Sequence, residues 1–135
     1  MKQFKVIIAG SRSFTDYDYL KKVCDKALGQ VKDEIVIVSG CANGADSLGE
    51  RYAKERGYTV DENPAPWNDT WDKPRTEIGF RGNKAYWHRA GVWRNEEMAK
   101  KADALIAFNV NNSKGTANMI KLAEKYKLKI KEYKF

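Results

Sequence analysis

Continuous apolar runs alternate along this chain with segments whose apolar positions recur every three or four residues. Val6-Ile7-Ile8-Ala9, Ile35-Val36-Ile37-Val38 and Ala104-Leu105-Ile106-Ala107-Phe108 are runs of the kind that strands show when both faces are buried. Shorter strands are expected at 58–61 and 128–133. After the first strand, Leu20, Val23, Cys24, Ala27 and Leu28 fall on one helical face, and the pattern stops at Gly29. Thr15, with Asp18 three residues on, reads as the capping box of that helix. Further helices are expected at about 45–56, 95–101 and 115–126. Strands alternating with amphipathic helices predict an α/β fold, a three-layer Rossmann-like domain around a parallel five-stranded sheet.

The rhythm fails between about 67 and 93. That stretch holds all four tryptophans, Trp67, Trp71, Trp87 and Trp93, together with Pro74, Gly79, Gly82 and several basic residues. It reads as an aromatic, basic insertion, and loops of this length are usually functional or mobile. The tryptophans are expected to cover the apolar rim of the sheet or a contact between copies of the chain, with stacking of one or two on a base as the alternative. A contact between copies predicts a homo-oligomer.

At 135 residues the chain is long enough for one domain with a real core, residues 1–135. No apolar run approaches bilayer length, so no membrane association is expected. The strand pattern begins at Phe4, so no secretory signal is expected. Cys24 and Cys41 do not form a disulfide framework, and a cytoplasmic, reducing location is expected. The net charge is +7, and much of the excess lies in Lys121, Lys125, Lys127, Lys129, Lys131 and Lys134. Lysines alternating with apolar residues over 127–131 are the mark of a protected edge strand, with a polyanion-binding surface as the second reading.

Three glycine-bearing turns follow the three long apolar runs. They are Gly10-Ser11-Arg12, then Ser39-Gly40 through Gly44-Ala45-Asp46, and Ser113-Lys114-Gly115-Thr116. In a parallel sheet such turns open helices whose free N–H groups and positive ends attract an anion. Arg12 can pair with phosphate in bidentate fashion, or can simply be an exposed turn residue. Asp46 either compensates a helix dipole or accepts hydrogen bonds from a ribose, or holds a metal. Gly91, Arg94 and Asn95 precede the expected helix at 95–101, with Asn95 as its N-cap. Arg94 at a helix start opposes the dipole, which makes sense if an anion or an acid shares its space. Ser113 is a natural cap for the last helix, and Thr116 offers a hydroxyl to phosphate. Neither the dinucleotide fingerprint nor a Walker A lysine motif is present. His88 is the only histidine, so no histidine-based metal centre is expected.

Taken in order, Gly10-Ser11-Arg12, Ser39-Gly40 with Gly44-Ala45-Asp46, Gly91 with Arg94-Asn95 and Met98, and Gly115-Thr116 with Met119-Ile120 resemble the SLOG superfamily. The likeness is to its YspA-like, YpsA-related branch, and the aromatic insertion is similar to versions carried by bacterial viruses. The resemblance implies a sheet order 3-2-1-4-5 and a nucleotide-type ligand at the strand ends, with magnesium as a compatible companion. It also implies kinship with the LOG phosphoribohydrolases, with the DNA-processing DprA proteins and with domains thought to sense nucleotide signals, some derived from NAD. The LOG phosphate motif falls on 111–119 and the LOG arginine on Arg94. Where that motif carries glutamates this chain has Asn118 and Met119. Glycosidic cleavage passes through an oxocarbenium-like state that a carboxylate stabilises. No catalytic residue is therefore assigned; another acid would be needed, with Asp46, Glu50, Glu96 and Glu97 as the candidates, Asp46 and Glu97 ahead of the others. The expectation is a protein that binds a nucleotide, NAD or ADP-ribose-type molecule, as a sensor or by sequestration. A phosphoribohydrolase-type enzyme and a single-stranded nucleic-acid binder are the alternatives.

Overall fold

The three long apolar runs become the three central strands of one parallel sheet. The computed structural model describes residues 2–135. In chain order its elements are β1 (Gln3–Gly10), α1 (Tyr17–Leu28), β2 (Glu34–Ser39), α2 (Ala45–Arg56), β3 (Thr59–Glu62), β4 (Ile78–Arg81), β5 (Lys84–Trp87), α3 (Ala90–Lys101), β6 (Ala104–Asn109), α4 (Lys114–Lys125) and β7 (Lys129–Lys134). The main sheet runs β3-β2-β1-β6-β7 with every pairing parallel, which is the order the resemblance implies.

Because side chains alternate along a strand, β1 sends Val6 and Ile8 to one face and Ile7 and Ala9 to the other. The first face packs on Leu20 and Cys24 of α1 and Tyr52 of α2, the second on Met98 of α3 and Met119 of α4. Each fully buried side chain of this size contributes about 1.5–3 kcal/mol. Stability therefore concentrates in β1, β2 and β6, whereas β7 closes the sheet as an edge with Lys129, Lys131 and Lys134 exposed. No helix among the described residues is long and apolar enough to cross a membrane.

Three local expectations are corrected. The cap of α1 is Asp16, which accepts from Tyr19 N at 3.1 Å, so Thr15 and Asp18 form no capping box and Asp18 lies in the first turn. The third helix starts at Ala90, five residues early, so Asn95 is interior to it and caps nothing. Its N-cap, Arg89, makes no side-chain cap bond; burial of Ala90 and the Trp67 ring packed against Gly91 secure its start instead. The insertion is not a long unstructured loop. A 3-10 turn (Arg75–Glu77) leads into an antiparallel β4–β5 hairpin, with Ile78 opposite Trp87. Trp87 N donates to Trp67 O at 2.8 Å and its indole Nε1 to Glu77 Oε1 at 2.9 Å, while the His88 ring is bonded to Thr76 O. The hairpin is thus tied down at its base, and Trp71 and Phe80 project into solvent.

Candidate functional site

The loops after β1, β2 and β6 meet at one residue, Ser11. Its N–H donates to Phe108 O, its carbonyl accepts from Ala45 N, and its hydroxyl spans both backbone polar groups of Val110, accepting from N at 2.8 Å and donating to O at 3.3 Å. The Ser11 hydroxyl thus fastens the loop after β1 to the loop after β6. Above it lies a cleft of about 610 Å³, and a side chamber of about 290 Å³ shares Arg12, Ala42, Trp67 and Arg94 with it.

On the α2 side, Gly44 has φ +78°, and a Cβ there would run into the carbonyl oxygens of Ser11 and Arg12, so the chain can enter α2 this closely only with glycine. Asp46 follows in the first turn. It is buried and accepts from Ala42 N at 3.3 Å. Burial pushes its carboxyl up to about 6, against the opposing pull of the Ala42 N–H and the nearby Arg94 charge.

Arg94 comes from the second turn of α3. Nη1 donates to the carbonyls of Gly40 and Asn63, and Nε donates to Asn95 Oδ1 at 3.0 Å. Burial lowers its pKa, but a guanidinium starts so high that it stays charged. No direct ion pair joins it to Asp46 among the described residues. An acidic side chain does share its space, and Arg94 lies inside the helix rather than ahead of it. Arg12 stands at the exposed rim without an ion-pair or hydrogen-bond partner among the described residues.

On the far wall, Ser113 caps α4 by accepting from Thr116 N, and the Thr116 hydroxyl also turns to Ser113 Oγ at 3.3 Å. Thr116 is therefore spent on the cap. The N–H groups of Lys114 and Gly115 have no partner among the described residues, which leaves two donors and the positive helix end facing the opening. Asn109 holds this turn by accepting from Ser113 N at 2.9 Å, and it donates in turn to Glu132.

Of the residues expected at a site, Gly10, Ser11, Arg12, Asp46, Gly91, Arg94, Asn95, Ser113, Lys114, Gly115 and Thr116 line the main cleft, and Gly40 lines the side chamber. Ser39, Gly44 and Ala45 lie behind the lining. Ser39 is buried, donating to Glu50 Oε2 at 2.6 Å and accepting from Cys41 N. Glu97 pairs with Lys100 and is not part of the lining, so among the described residues Asp46 is the sole carboxylate lining the cleft. Sequence reasoning missed the apolar floor of Met98 and Met119 with Ala9, the roof of Trp67, His88 and Val92, and the polar Asn118. The spacing Gly91, Arg94–Asn95, Met98 was the available signal, because it places all four on one face of a helix that starts at Ala90. No group of three His, Cys, Asp or Glu side chains suited to a metal occurs among the described residues.

With that geometry in place, similarity can be weighed. A family model described as the YspA, cpYpsA-related SLOG family matches residues 4–69. The Gene 61 protein of Mycobacterium phage D29 is 30% identical over 125 residues, covering 90% of this chain and 89% of that protein. Among solved structures, DNA processing protein A from Helicobacter pylori, with its single-stranded DNA binding mode, superimposes with a TM-score of 0.64 at 20% identity, covering 96% of this chain and 64% of that one. DprA from Streptococcus pneumoniae gives 0.54 at 17% identity, covering 95% and 58%. The chain thus spans less than two thirds of either DNA-processing protein, and at these identities the likeness is one of fold.

Proposed function

Because this chain belongs to the YspA and cpYpsA-related SLOG family, we propose that its cleft binds a phosphate-bearing, nucleotide-derived small molecule, as a sensor or by sequestering it. One observation carries the reading. Arg12, Arg94 and the unpartnered N–H groups of Lys114 and Gly115 converge on a single cleft whose floor is apolar. Charge-assisted donors hold the anion, and the methionine floor removes the ligand's less polar body from water. Hydrolysis is the weaker reading, since Asp46 alone supplies a carboxylate and α4 offers Asn118 and Met119 in its place.

A second reading takes the ligand to be single-stranded nucleic acid. It is favoured by the exposed Trp71 ahead of the hairpin and by the exposed Phe80 on it, beside Arg81 and Lys84. Mass spectrometry of small molecules retained by the purified protein tests the first reading, with a nucleotide-type molecule as the expected result. Calorimetry at rising salt separates the two. Pocket binding changes modestly, whereas strand binding falls steeply with the number of phosphates neutralised. Incubation with nucleoside monophosphates reports hydrolysis directly as free base.

A further inference from the structure

We propose that Asn118 recognises a sugar oxygen next to the bound phosphate through its amide N–H groups, and that Asn95 fixes the direction in which that amide faces; this rests on the phosphate reading above. Arginine can only donate hydrogen bonds. With Arg94 Nε 3.0 Å from Asn95, the atom facing it must be the Asn95 oxygen. Asn95 must then point its NH₂ the other way, and there it donates to Asn118 Oδ1 at 2.9 Å. The Asn118 oxygen is thereby occupied and its NH₂ is left over.

That NH₂ has no partner among the described residues. It is not sealed in the interior either, because no buried side-chain nitrogen or oxygen there lacks a hydrogen bond. It is therefore accessible, on a residue that lines the cleft. The direction of the whole relay follows from the one group in it that cannot accept.

Position identifies what the amide meets. Asn118 lies three to four residues along α4 from Lys114 and Gly115, a rise of about 5 Å. An anion seated on those two N–H groups places its attached sugar beside Asn118. The neighbouring Met119 and Met98 are buried and apolar and offer the amide no acceptor. A donor in such surroundings favours a ligand that presents a lone pair there. The ligand class is thus a sugar phosphate or a nucleotide, with the sugar itself recognised.

Calorimetry with inorganic phosphate and ribose 5-phosphate tests this on the full chain. Asn118→Leu is expected to weaken ribose 5-phosphate by about tenfold while phosphate stays within about twofold of wild type. Asn95→Asp keeps an acceptor for Arg94 but removes the donor that holds the Asn118 oxygen, so it is expected to weaken ribose 5-phosphate as well. Wild-type affinity of Asn118→Leu for ribose 5-phosphate, with phosphate still bound, overturns the proposal and leaves the phosphate reading standing. Failure of the wild-type protein to bind either probe overturns both. A readout without ligand isolates the relay: by NMR the Asn95 side-chain amide exchanges its protons slowly and that of Asn118 rapidly, and the reverse order refutes the assigned direction.

Discussion

Asp46 and Arg94 face each other across Gly40, where a methyl group would lie 2.7 Å from Asp46 Oδ2 and 2.9 Å from Arg94 Nη1. Neither charge is neutralised by direct contact with the other. Arg94 is pinned by two carbonyls and Asp46 by the Ala42 N–H, so both keep capacity for a ligand. The arrangement depends on the missing side chain between them.

Gly40→Ala is accordingly expected to displace the arginine. Overpacking of this kind costs about 1–3 kcal/mol, visible as a lowered melting temperature. Calorimetry with a nucleoside monophosphate should show weaker binding in the same variant. Unchanged affinity would mean that Arg94 need not occupy its observed position.

The two arginines should separate binding from folding. Arg12 is exposed and unpartnered, so Arg12→Ala is expected to leave thermal unfolding unchanged while lowering affinity. Arg94→Ala removes a donor to two carbonyls and the cation nearest Asp46. It is expected to lower stability as well as affinity, with binding reduced by about 1.5–3 kcal/mol for a charged hydrogen bond. Full-strength binding by Arg94→Ala would remove this residue from the site.

Asp46 makes the stability of the fold depend on pH in a defined sense. Its carboxyl titrates at about 6 in the folded chain against an ordinary value of 3.8, so the folded state holds the proton more tightly than the unfolded one. This residue therefore favours folding increasingly as pH falls from about 6 to about 4, and that contribution is lost above 6. Asp46→Asn is expected to flatten the dependence in that window and to raise stability at pH 7, on the order of 2–3 kcal/mol. Chemical denaturation at pH 4, 5, 6 and 7 measures it, and parallel profiles for the two proteins would contradict the assignment.

Two tryptophans of the insertion should behave oppositely. Trp87 is 8% exposed, and its indole is bonded to Glu77. Trp87→Ala is expected to cost about 3–5 kcal/mol. Trp71 is 95% exposed, and Trp71→Ser is expected to change stability by less than about 0.5 kcal/mol. Denaturant titration of both variants provides the comparison.

The sheet was legible because Val6–Ala9, Ile35–Val38 and Ala104–Phe108 are too continuous to be anything but doubly covered strands. The strand order came from the likeness in the glycine turns. The hairpin was not legible, since each of its strands spans four residues, Gly79 interrupts the first, and Phe80 and Arg81 are exposed, so no alternation develops. The early start of α3 was hidden because Asn95 resembles a cap and Arg89 does not. What holds the first turn is contact with Trp67, distant in sequence and invisible to local pattern. At the site, the loops converge as their placement after parallel strands implied. The bonds that Ser11 and Thr116 make to Val110 and Ser113 were not legible, because a hydroxyl's partner is decided by neighbours distant in sequence or hidden in a cap.

In the proposed site the insertion cannot vary independently of the cation. Trp67 packs on Gly91 in the first turn of α3, and Arg94 projects from the next turn of the same helix. A substitution that shifts the Trp67 ring therefore carries over to the arginine, so any change in what covers the cleft also retunes the charge beneath it.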